Sequence, residues 1–98
     1  MNYLEHLINN KKVFFNFMKE GYPLFRYSNI FFRDLQYAIS SYFKMKERPI
    51  SYAEASLIAN DFIKNMVNSG ELLQIDNKSW KVNFEIFSEK SSTILEGV

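Results

Sequence analysis

Cysteine is absent from this 98-residue sequence, which removes disulfides, thiol nucleophiles and thiolate-held metals and suits a reducing compartment, with the cytoplasm as the default. Histidine occurs once, at His6, so a histidine-ligated zinc site or a catalytic dyad has almost no material. Three glycines and two prolines are too few for a glycine-rich phosphate loop, and neither a Ser-His-Asp order nor a paired-carboxylate motif is present. No stretch approaches the roughly 18 uninterrupted apolar residues of a membrane helix, and Met1 to His6 lacks the basic and apolar regions of a secretory leader. Charge of one sign is also missing. Twelve Lys and Arg stand against eleven Asp and Glu, for a net charge of +1, so no global field draws the chain onto nucleic acid or anionic lipid. These absences predict a non-enzymatic protein with no cofactor, no bound metal, no small-molecule substrate and no membrane span.

Aromatic rings are abundant instead. Ten Phe, six Tyr and one Trp make up 17% of the residues, and each ring requires roughly 150–250 Å² of cover. A chain of this length buries only about 60–70% of its unfolded surface, so some rings are expected to stay at the surface. One core is all it can build, giving a single domain over residues 1–87 and a tail over 88–98.

Periodicity predicts an α+β fold of three helices followed by a C-terminal antiparallel β-hairpin. From Tyr3 to about Glu20, Leu4, Leu7, Ile8, Phe14, Phe15 and Met18 share one helical face, interrupted only by Lys11, and Gly21 and Pro23 end the helix. Tyr22 to Tyr27 is a connection, with Leu24 to Tyr27 suited to a short extended segment. Ser28 is the expected cap of a second helix from Asn29 to about Met45, whose apolar arc comprises Phe31, Phe32, Leu35, Ala38, Ile39, Tyr42 and Phe43. Ser51-Tyr52-Ala53-Glu54 is a capping box with Ile50 as hydrophobic staple, opening a third helix that buries Ala55, Ile58, Ala59, Phe62, Ile63 and Met66 and stops at Ser69-Gly70. The period then changes to two. Leu73 and Ile75 alternate with Leu72 and Gln74, Asp76 to Ser79 supplies a turn, and Trp80, Val82, Phe84 and Ile86 alternate with polar residues.

Three helices leading into a hairpin, with the third running through Phe62-Ile63-Lys64-Asn65-Met66-Val67-Asn68-Ser69-Gly70-Glu71-Leu72-Leu73 into the first strand, resemble a winged-helix domain over Tyr3 to about Phe87. The resemblance implies a helix-turn-helix pair, a β-hairpin wing, a third helix acting as recognition helix, and DNA as ligand. Its outward side gathers Ala53, Leu57, Asn60, Asp61, Lys64 and Asn68, with two acids against one base between Ser51 and Ser69. Major-groove binding needs cations for phosphates, so these charges favour a protein partner over nucleic acid.

Candidate surfaces follow from residues that the core does not absorb. Tyr3, Val13 and Phe17 make the first helix apolar on a second side, which either the Tyr22–Tyr27 connection and the tail cover or a homodimer or partner helix uses. His6 falls beside them and reads as surface or interface. Leu57 faces away from its helix's buried stripe, either as an ordinary exposed leucine or as an anchor for a partner. The leading expectation is a protein-interaction module that self-associates through its first helix. The alternative is a DNA-binding regulator, with Arg33 and Lys44 as a basic cluster beside Tyr37, and Asn60, Lys64, Lys78 and Lys81 as further nucleic-acid contacts.

Overall fold

A computed structural model describes residues 2–85, so the expectations for Ile86, Phe87 and the tail lie outside the described residues. The described residues form an α+β fold with four helices and a three-stranded antiparallel sheet: α1 (Tyr3–Asn9), α2 (Lys11–Lys19), β1 (Asn29–Phe31), α3 (Phe32–Met45), α4 (Tyr52–Asn68), β2 (Leu72–Asp76) and β3 (Ser79–Val82).

The expected first helix is two helices. Asn10, at φ −129° and ψ 37°, leaves the helical region, its amide bonds the Leu7 carbonyl at 3.2 Å, and its side-chain Nδ2 donates to the His6 carbonyl at 2.8 Å. This is the local competition by which asparagine weakens a helix interior. The core face survives the break, because Leu7, Phe14, Phe15 and Met18 are all buried. Lys11, the odd residue on that face, ends at Glu71 Oε1, 2.7 Å away. The stop is also made differently from expectation. Gly21 has no positive φ, and the amides of Gly21 and Tyr22 both bond the Met18 carbonyl at 3.0 Å.

Ser28 does not cap a helix. Its hydroxyl donates to the Phe25 carbonyl at 2.7 Å and accepts from the Phe25 amide at 3.1 Å, closing a turn. Asn29 to Phe31 then forms a strand, and the helix starts three residues late, capped by Phe31 without any side-chain hydrogen bond. Tertiary pairing decides this: β1 lies antiparallel to β3 with Ile30 opposite Trp80, the Val82 amide bonds the Ser28 carbonyl at 2.9 Å and the Phe32 amide bonds that of Lys78 at 2.9 Å. Strand β1 thus replaces the extended segment expected at Leu24 to Tyr27.

The α4 helix has the expected start, buried stripe and stop, with the Ser51 half of the capping box in place. Ser51 Oγ accepts from the Glu54 amide at 3.0 Å, and Ala55, Ile58, Ala59, Phe62, Ile63 and Met66 are the buried residues. At its end the Gly70 amide bonds the Val67 carbonyl and the Glu71 amide bonds the Met66 carbonyl, with Gly70 at φ +82°. This double closure is the Schellman motif, and it needs a left-handed residue at Gly70.

The sheet has the order β1-β3-β2. Ile30, Leu72, Trp80 and Val82 turn inward, whereas Leu73 and Ile75 are 45% and 49% exposed, so β2 gives the core only its first residue. A β-bulge lies between Gln74 and Asp76, and Asp76 Oδ1 ties the hairpin turn by accepting from the Lys78 amide and the Ser79 hydroxyl, each at 2.8 Å. One core joins these elements. Its centre is aromatic: Phe14 meets Tyr42 and Phe62 edge-on at 5.4 and 5.8 Å, and Phe15 stacks on Phe62 at 5.8 Å, in the offset and edge geometries that ring quadrupoles favour.

Candidate interaction surface

Two of the four residues expected at a protein interface are used inside the chain. Tyr3 packs edge-on against Phe43 at 4.7 Å and Phe17 against Tyr42 at 5.5 Å, and both are half-buried. Val13 remains open at 47% exposure, the only large apolar side chain of the first two helices in that state. His6 is likewise half-buried, and its Nε2 lies 2.9 Å from the Tyr42 hydroxyl, which ties it to the subunit's own core. Burial pushes the Tyr42 phenol above the usual tyrosine range.

Leu57 is the most exposed large apolar side chain of the described residues, at 66%. It sits at the middle of the outward side of α4, where Ala53, Asn60, Asp61, Lys64 and Asn68 are also exposed. The spacing 53, 57, 60, 64 and 68 keeps these side chains on one stripe of the helix. At the N-terminal end of the stripe, Tyr52 and Tyr37 hold their rings 5.8 Å apart while both remain exposed. The Arg33 guanidinium carbon lies 5.9 Å from the Tyr37 ring centre. Gln36, buried beneath, donates from Nε2 to the Tyr52 carbonyl at 3.2 Å and fixes the start of α4 against α3.

At the C-terminal end of the stripe a cleft of about 380 Å³ separates α4 from the hairpin. Ile63 and Trp80, both buried, and the exposed Val67 supply its apolar part, and Asn60, Lys64, Asn68 and Gln74 the remainder. The Lys11–Glu71 ion pair joins the start of α2 to the residue before β2. Burial raises the Glu71 carboxyl, but hydrogen bonds from Lys11 and Ser69 and the Lys11 charge outweigh that and hold it below the usual glutamate range.

All six residues expected to contact nucleic acid are exposed, and they are spread over α3, α4 and the hairpin. Arg33 and Lys78 border a cavity of about 660 Å³ with Phe31, Phe32 and Asp34. Asn60 and Lys64 border the α4–hairpin cleft, Lys81 stands on the outward sheet face across from Asn29 and Leu73, and Lys44 is on the last turn of α3. Acids are interleaved with these bases: Asp34 lines the larger cavity and Asp61 adjoins Asn60. Sequence reasoning missed the cleft, because Trp80 reads simply as an inward strand residue and Gln74 as a polar alternate. It also missed the tyrosine pair, which joins residues from two helices.

Among the described residues, no three His, Asp or Glu side chains are grouped so as to hold a metal ion, and no helix is long and apolar enough to cross a membrane. Compared with protein-family models, curated proteins and solved structures, the chain matches none.

Proposed function

We propose that this chain is a non-enzymatic protein-interaction module of winged-helix-like architecture, docking through the outward side of α4. The observation that carries the reading is Leu57, standing in the open at the centre of a helix face flanked by the tyrosine pair and the cleft. Two consecutive helices followed by a short strand, a helix pair and a hairpin, with the strand order β1-β3-β2, support the winged-helix comparison. Self-association is the simplest form of the activity. The first-helix surface contributes Val13 to it, since Tyr3 and Phe17 are committed to the subunit's own rings.

Sedimentation over a rising concentration series tests the proposal. The expected result is a reversible dimer that Leu57→Asp weakens more than Val13→Asp does, with both variants keeping the parent's melting temperature. A monomer at every concentration that also leaves the α4 amide resonances unmoved would sink it.

One observation favours a second reading, DNA binding. Asn60, Lys64 and Asn68 line up along α4 beside a hairpin that carries Lys78 and Lys81, the donor types that read base edges and neutralise phosphates. Glu54 and Asp61 on the same helix oppose it. Duplex titration at two salt concentrations separates the two: affinity falling steeply with salt supports DNA, and no binding at low salt removes it.

A further inference from the structure

The α4–hairpin cleft has a chemical character more specific than an open apolar surface. Trp80 is only 6% exposed and, with Ile63, forms the floor of the cleft. Around the rim, Asn60 and Asn68 present carboxamides and Lys64 an ammonium group, while Gln74 donates from Nε2 to the Asp76 carbonyl at 3.1 Å, and there is no carboxylate among the lining residues. Lys64 makes no ion pair among the described residues. An apolar floor beside a rim whose only formal charge is positive is complementary to one kind of occupant.

We infer that the cleft is the anchor site for a protein partner: it takes an apolar side chain against Val67 and Trp80 and a neighbouring carboxylate onto Lys64 and the carboxamides. The inference rests on the protein-interaction reading and deepens it, because the cleft continues the Leu57 face along the same helix. A carboxylate fits better than a phosphate, since phosphate recognition recruits clustered arginines and this rim holds a single lysine.

The molecule carries its own reporter, because Trp80 is the only tryptophan. Two blocked pentapeptides, Ala-Ala-Leu-Glu-Ala and Ala-Ala-Leu-Gln-Ala, are titrated into the full chain while indole emission and backbone amide shifts are followed. The glutamate peptide is expected to change Trp80 emission saturably and to bind about fivefold tighter than the glutamine peptide, the size of a partly exposed ion pair. In Lys64→Gln, an exposed substitution, that difference should vanish; in Leu57→Ser it should persist. Equal response to both peptides, or an emission change whose glutamate preference survives Lys64→Gln, would overturn the inference. Shifts confined to Tyr52–Leu57 with silent Trp80 emission would refute the cleft and leave the α4 docking face standing. Silence at every amide, together with a monomer at all concentrations, would remove both.

Discussion

Replacing each of two glycines by alanine isolates one backbone angle. Gly70 lies at φ +82°, and a Cβ built there meets nothing within 4 Å, so Gly70→Ala creates no clash. Its cost is purely conformational: a left-handed L-residue loses roughly 1–2 kcal/mol, of which the stiffer unfolded chain returns about 0.4–1 kcal/mol. The net loss is about 1 kcal/mol, or about 4–8 °C in melting temperature for a domain of this size. Gly21 is the control. It has an ordinary φ, and its added Cβ would meet only the Met18 carbonyl at 3.9 Å, a normal contact. Gly21→Ala should therefore be neutral or stabilising by up to about 1 kcal/mol. Urea unfolding at 25 °C, followed by Trp80 emission and far-UV circular dichroism, reads both variants, and Gly70→Asn should recover part of the loss because asparagine tolerates the left-handed region. If Gly70→Ala proved as harmless as Gly21→Ala, the Schellman closure would not depend on that angle and the reasoning would fail.

The Lys11–Glu71 pair predicts an acid limb. Because the folded Glu71 carboxyl sits below its ordinary value, its contribution is complete above about pH 4.3 and is lost as the pH falls through the folded value. Urea midpoints measured from pH 7 downwards should show this decline, and Lys11→Met should flatten it. Ser51→Ala should cost about 1 kcal/mol, the usual worth of an N-cap hydroxyl, by orphaning the Glu54 amide that it meets at 3.0 Å. Ser51→Asp should retain most of that stability in the same melt.

What could be read from the residues follows the range of the interaction that decides each feature. The α4 helix is fixed locally, by a cap three residues from its partner, an unbroken 3.6-residue stripe and a terminal glycine, and its expected span and buried face agree with its structure. The break at Asn10 depends on one asparagine side chain turning back to His6, which periodicity cannot register because the apolar face continues across it. Strand β1 is decided by a segment about fifty residues away. Three residues carry no measurable alternation, and Ile30-Phe31-Phe32 satisfies a helical arc as well as a strand until β3 arrives beside it. Of the candidate surface, exposed Leu57 was legible because its whole helix was. The tyrosine pair and the cleft were not, since each joins elements whose relative placement is set only by packing.

Strand β3 is the central strand, with β1 on one side and β2 on the other, and it is the last of the three along the chain. During ribosomal synthesis, no inter-strand bond of the described sheet can therefore form before Ser79 to Val82 has emerged. Until then Ile30 and Leu72 have no pairing strand, and the four helices must hold the nascent chain together without it. Four residues thus time the completion of the fold, and a ribosome stalled ahead of them would display a helical intermediate with its strand-forming segments unpaired.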